Sequence, residues 1–159
     1  MDTFAHGLIT YAVGQSARSR INWRWLVFFG AFPDLVWLPF TFINLLTSRH
    51  IYFFNGPYNI SHSLVIWAIV SLLAMIRWRK TFLYTWPWAL HLLIDIPGHT
   101  DMPTPILWPV AHWTIHGWFD WLAWPWLLST YVGLAIVFVV LWRLGKLWPW
   151  VTEKKPPNG

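Results

Sequence analysis

Cysteine is absent from the chain, which removes disulfides, thiolate-ligated zinc and a cysteine nucleophile from consideration. Charge is scarce as well. Charged residues make up 11% of the chain against 57% hydrophobic, where a soluble domain is ordinarily about a quarter charged. Only six residues are acidic. No GxSxG elbow occurs, so serine-hydrolase chemistry has no support, and Ser61 and Ser63 read better as residues at a helix start. The net charge of +5 lies in short basic blocks at the ends of apolar runs. Nucleic acid wants a cationic groove to counter its phosphates, and no such run is present.

What the chain has instead is tryptophan, 16 of them, gathered at the ends of apolar stretches: Trp23 and Trp25, Trp86 and Trp88, Trp124 and Trp126, Trp148 and Trp150. Amphipathic rings at such ends are what membrane–water interfaces collect. Apolar runs at residues 23–46, 62–76, 82–97 and 126–148 predict spans, although a bilayer core needs about 20 helical residues and the second and third are short. Residues 3–17 form a fifth apolar segment. A signal peptide wants a basic start and a small-residue cleavage site; here Asp2 leads and Arg18 and Arg20 follow, so the segment reads as mature structure. The expected fold is all-α, a polytopic membrane helical bundle of about four to five spans. Residues 1–150 form its single integral-membrane domain, and a disordered tail occupies 151–159.

Threading the segments alternately places Arg18, Arg20, Arg24, Arg77, Arg79, Lys80, Arg143, Lys146, Lys154 and Lys155 on one side and Arg49 alone on the other. The positive-inside rule makes the first side cytoplasmic, with the N-terminus outside and the C-terminus inside a cell inner membrane. Between Gly98 and Pro125 the chain is rich in Pro, His and Trp and too interrupted for a clean span. That stretch predicts an outer lid or interfacial segment.

Five polar residues then stand out, because each lies in or beside an apolar run: His6, Asp34, His62, His91 and Asp95. An ionisable side chain at membrane depth costs roughly 2.5–3.5 kcal/mol on insertion scales and survives by pairing, by lining a wet cavity or by binding a metal. Imidazole and carboxylate are the zinc ligands that remain when thiolates are absent. His91 and Asp95 are four apart, so a helix sets them on one face; a plain buried His–Asp hydrogen bond is the bland alternative. Asp34 follows Pro33, which frees a backbone carbonyl, and a carboxylate capping that break would explain Asp34 alone but not its company. His62 opens an apolar run, where a simple helix start capped by Ser61 or Asn59 is the competing account. His6 has an equally plain one, an interfacial histidine. Together the five supply three imidazoles and two carboxylates, enough for one zinc or a carboxylate-bridged pair. His112, His116 and Asp120 repeat a spacing of four, which reads best as the polar face of an amphipathic outer helix, with a second metal site or a headgroup contact as alternatives. His50 carries no signal.

The segments MDTFAHGLITYAVG, GAFPDLVW, ISHSLVIW and ALHLLIDIPGHTDMPTPILWP resemble, in order and over roughly residues 1–110, the YdjM-like, LexA-regulated inner-membrane proteins, described as membrane-bound metal-dependent hydrolases. The resemblance implies His6, Asp34, His62, His91 and Asp95 as metal ligands. Two departures stand out. Leu35 and Val36 follow Asp34 where many members carry a further Asp, which removes a possible ligand for a second metal. Tyr58, Asn59 and Ile60 precede His62 where an arginine is common, which weakens any phosphate-binding role.

Three functions follow. One is a hydrolase in which zinc activates water and polarises an ester or phosphoester oxygen, with Asp34 or Asp95 as general base. Its substrate is then lipidic, since the outer face has little basic charge for a soluble polyanion. The second is a non-enzymatic metal or proton carrier, or a structural membrane protein, because His and Asp along helices also build relays. The third is a haem protein with His62 and His91 as axial ligands, against which the neighbouring carboxylates argue.

Overall fold

A computed structural model describes residues 2–17, 19, 21–47, 56–79, 81–100, 102–120 and 123–147. Arg18, Arg20, Arg49, His50, Lys80, Asp101 and the expected disordered tail 151–159 lie outside the described residues. Within them the chain is all-helical: α1 Thr3–Ser16, α2 Trp23–Thr47, α3 Pro57–Ser61, α4 Leu64–Arg77, α5 Thr81–Asp95 and α6 Trp124–Arg143. The one β feature there is an isolated antiparallel bridge between Thr104 and Ile115.

The five apolar segments of the sequence are the five long helices, but their lengths differ in consequence. α6 has 20 residues and is long and apolar enough to cross a membrane. It is also poorly covered, with Leu134 and Leu141 its buried residues. α1 and α4 have 14 residues and α5 has 15, about 21–23 Å at 1.5 Å per residue against a core of about 30 Å. α2 has the length, at 25 residues, with Pro33 and Pro39 inside it.

Local chemistry sets the ends. The Asp2 carboxylate accepts from the backbone N–H groups of Phe4 and Ala5, both at 3.0 Å, and so starts α1. α4 is started by Ser63, whose Oγ accepts from Val65 and Ile66 at 3.1 and 3.3 Å. Neither Ser61 nor Asn59 caps that helix. A short helix precedes it, and His62 sits at the junction as the C-cap of α3.

α1 and α2 pack closely because their contact is lined by small residues, as in membrane helix pairs. A Cβ added at Gly14 would stand 2.4 Å from Leu26 Cδ1, and one at Gly30 would stand 2.1 Å from Thr10 Oγ1. Thr10 seals the contact by donating to the Leu26 carbonyl at 2.8 Å. On the other side of α2, Trp88 and Leu92 of α5 pack with Ile106 against Phe32, Leu64 and Trp67.

The segment after α5 runs as turns and extended chain rather than a helix. It forms a strap. Thr104 and Ile115 exchange backbone hydrogen bonds at 2.9 and 3.0 Å, the Leu64 N–H donates to the Ile106 carbonyl at 3.0 Å, and Ser63 Oγ donates to the Trp108 carbonyl. An amphipathic helix carrying His112, His116 and Asp120 is therefore not formed. Three prolines in the first half and the bridge across the segment's middle hold it in extended form, so a spacing of four no longer means a shared face.

Candidate metal centre

Three helices and one helix junction bring the five residues together. His6 comes from the first turns of α1, Asp34 from the middle of α2 just past Pro33, His62 from the α3–α4 junction, and His91 and Asp95 from the end of α5. All are buried, Asp34 the most open at 7% and Asp95 at 0%.

Distances inside the cluster are short. His91 Nε2 lies 3.0 Å from Asp95 Oδ2 and 3.6 Å from Asp34 Oδ1. His62 Nε2 lies 3.6 Å from each of the same two oxygens. His6 bridges the carboxylates from the other side, Nε2 at 2.9 Å from Asp95 Oδ1 and Nδ1 at 3.6 Å from Asp34 Oδ2. Its ring also stacks on that of His91, with centroids 3.7 Å apart.

The outward ring nitrogens decide what the inward ones can be. His91 Nδ1 stands 2.7 Å from the Gly30 carbonyl, and a carbonyl only accepts, so Nδ1 carries the proton. His62 Nδ1 lies 3.2 Å from the Tyr58 carbonyl and 2.9 Å from Ser61 Oγ, and in the same tautomer it can donate to either. In their neutral forms both Nε2 atoms then present lone pairs to carboxylate oxygens. His6 Nδ1 and Nε2, His91 Nε2 and Asp34 Oδ2 are all buried without an aligned hydrogen bond. A cation at their centre can satisfy lone pairs that face carboxylates at such distances, as can ring protons where imidazole and carboxylate pair directly at 2.9–3.0 Å. A backbone carbonyl taking the second ring proton is the usual support behind a metal-ligating histidine.

The fit to an ion follows from size. Two atoms that each touch one zinc at 2.0–2.2 Å stand no more than about 4.4 Å apart, and the cross-cluster contacts just given meet that bound. Two overlapping groups, His6 with His91 and Asp95, and Asp34 with His62 and His91, have ligand atoms close enough to hold a metal ion. His91 belongs to both, and with Nδ1 committed to Gly30 it has one nitrogen to give. A flat macrocycle between His62 and His91 would collide with Asp34 Oδ1 and Asp95 Oδ2, so the haem arrangement does not fit.

The surroundings hold the carboxylates and imidazoles in place. Trp37 Nε1 donates to Asp34 Oδ1 at 3.3 Å. Tyr58 stacks on His62 with centroids 4.1 Å apart, and its hydroxyl donates to the Met102 carbonyl at 3.2 Å. Burial, and after it the charges of Asp95 and Asp34, push the Tyr58 phenol above its ordinary value, so it stays protonated as a donor.

One member was not singled out from the sequence as a site residue. His99 Nε2 donates to Asp95 Oδ1 at 3.0 Å. The signal for it was present, as His91, Asp95 and His99 continue a spacing of four. Pro97 and Gly98 after the helix hide it, because they signal a break rather than a continued face. His112 and His116 do not join the cluster; both are exposed, and His116 Nδ1 lies 3.4 Å from the Thr100 carbonyl.

No family model, no curated protein and no solved structure matches the chain. Its class therefore rests on its own residues: among the described residues it is all-helical, with one helix long and apolar enough to cross a membrane and a buried His/Asp cluster that can hold a metal ion.

Proposed function

We propose that the chain is a membrane-embedded, metal-dependent hydrolase of the YdjM-like kind, with zinc as its ion and a lipid ester or phosphoester as its substrate. The observation that carries this reading is the convergence of His62 and His91 Nε2 on Asp34 and Asp95, with the His91 Nδ1–H held by the Gly30 carbonyl. A bound divalent ion there supplies Lewis acidity to a phosphoryl or acyl oxygen and an acidified water. Asp95, at 0% exposure among four histidines, acts as a held ligand. Asp34 is the more open carboxylate and faces the cluster from α2, so it is the group to receive a proton from water.

Several features support a bilayer setting with more than one span. α4 and α6 turn large apolar side chains outward, among them Leu72 at 60%, Ile76 at 83% and Ile136 at 59% exposed, and contiguous apolar surface of that kind marks a contact with lipid or protein. α1 and α6 run side by side in the same direction: Tyr131 Oη, two turns into α6, donates to Asp2 Oδ1 at 2.8 Å at the start of α1, and Lys146 Nζ, just past α6, to the Ser16 carbonyl at 3.5 Å at the end of α1. That pairing agrees with N-terminus out and C-terminus in. Because the chain has no cysteine, single cysteines at exposed Arg79 and Val110 can be labelled selectively. We expect a membrane-impermeant reagent to reach Val110→Cys from outside intact spheroplasts and Arg79→Cys only after permeabilisation. Labelling of both from one face would overturn this orientation.

The enzyme reading is tested with detergent-purified, zinc-loaded protein offered a panel of phospholipids, neutral lipid esters and soluble phosphodiesters. We expect turnover of a lipid substrate that stops on chelation and in Asp34→Asn. Activity confined to soluble substrates would end the lipid assignment. The near-complete burial of the cluster favours a second reading, a non-enzymatic metal carrier or structural site, and stoichiometric ion binding with no turnover on any of the panel would select it.

A further inference from the structure

α5 ends at Asp95, and Ile96, Pro97 and Gly98 turn the chain, the Gly98 N–H closing on the Asp95 carbonyl at 3.0 Å. That turn brings His99 back over the end of its own helix, where it donates to Asp95 Oδ1 at 3.0 Å. The other oxygen, Oδ2, faces His91 Nε2 and His62 Nε2 at 3.0 and 3.6 Å. A carboxylate with one oxygen engaged by a donor cannot rotate freely about its last bond. Its second oxygen is thereby aimed at whatever His62 and His91 bind.

The turn is held from the strap. Gly117 N–H donates to the His99 carbonyl at 2.8 Å, and the N–H groups of Trp118 and Phe119 reach the Pro97 carbonyl at 2.8 and 3.4 Å. The approach leaves no room for a side chain: a Cβ at Gly117 would stand 2.4 Å from His99 N and 2.6 Å from the Pro97 carbonyl oxygen. These are backbone atoms of a turn, so they cannot swing aside as a flexible side chain would. Far along the chain from the cluster, Gly117 thus sets the height of His99 over Asp95.

We propose that His99 is the positioning residue of Asp95, and that the strap, through Gly117, sets its position and so the affinity of the centre for its ion. The inference rests on the metal reading above and deepens it, making the strap a part of the site rather than only its cover. Outer partners of metal ligands are commonly worth about 10–100-fold in metal affinity, and His99 stands in that relation to Asp95.

The test compares wild type with His99→Ala, His99→Gln and Gly117→Ala, all purified in detergent and shown by melting and size exclusion to be folded. Cobalt(II) serves as the probe, with affinity taken from competition against a chromophoric chelator and ligand geometry from the visible spectrum. We expect His99→Ala to weaken cobalt binding about 10–100-fold and to shift the spectrum. His99→Gln, whose amide N–H reaches as far as Nε2, should restore most of both. Gly117→Ala should weaken binding by displacing His99, although it removes no polar group. Wild-type affinity and spectrum in His99→Ala would overturn the positioning role, and the same result in Gly117→Ala alone would remove the strap from it. A wild-type protein that binds neither cobalt nor zinc would instead bring down the metal reading on which this rests.

Discussion

Removing the imidazole of His91 is expected to strip the centre of its ion. His91 is shared by both groups of residues close enough to hold one, so its loss leaves neither complete. The fall in affinity should exceed the roughly 10–100-fold that an outer partner is worth. A competing effect needs a control, because His91→Ala also removes the 2.7 Å hydrogen bond to the Gly30 carbonyl and leaves a cavity in a fully buried place, and both lower stability. Asp34→Asn supplies that control. It is nearly isosteric, its amide oxygen can still accept from Trp37, and it removes the charge that attracts the cation. Both variants should be purified without added chelator, their metal content measured by mass spectrometry, and their melting recorded alongside. Loss of metal from both, with Asp34→Asn still folded, is the expected result; full occupancy in both would mean that the cluster is not where the ion binds.

The second large effect is predicted at a residue that supplies no ligand atom. A Cβ on Gly30 would lie 2.1, 2.8 and 2.9 Å from Thr10 Oγ1, Cγ2 and Cβ, so Gly30→Ala must push α1 away from α2. Overpacking of this kind costs about 1–3 kcal/mol. The cost should not stop at stability. α1 carries His6 and α2 carries Asp34 and the Gly30 carbonyl, so the same displacement opens the 3.6 Å contact of His6 with Asp34 and the support of His91. We expect lower melting temperature and weaker metal binding together. Thr10→Ala, added to Gly30→Ala, removes the two nearest groups on the Thr10 side but not its Cβ, and should return part of both. Gly30→Ala with wild-type melting and metal affinity would show that the helices do not meet as closely as described.

Much of this arrangement was legible in the residues. Long apolar runs predicted five helices, because burial and backbone satisfaction leave an apolar run of that length little else to do. The five polar residues were visible for the same reason in reverse: each is too costly in its run to be there without a partner. What could not be read were features made by tertiary contacts. The cap of α4 is Ser63 rather than Ser61 or Asn59 because α3 intervenes and turns His62 inward, and a five-residue helix leaves no periodic signal. The strap could not be told from an amphipathic helix by the spacing of His112, His116 and Asp120, since its form is set by pairing with residues elsewhere in the chain. His99 was obscured by the break that places it.

The position of α6 has a consequence for how freely the sequence can vary. It rests on α1 through Leu134 and Phe138 against Ala5, Leu8 and Ile9, and it gives no side chain to the cluster. The outward apolar surface of α6 and the building of the centre thus belong to separate stretches of chain. The division implies two substitution tolerances. Along α6 almost any apolar residue that keeps the Ala5–Leu134 contact should serve, and exchanging outward positions such as Val132, Ile136 and Val139 among Leu, Ile, Val and Phe should be silent. From His6 to Gly117 the choices narrow to particular atoms, in several places to the absence of one. Drift in this protein should therefore collect along α6, which can change its outward side chains without the centre registering the change.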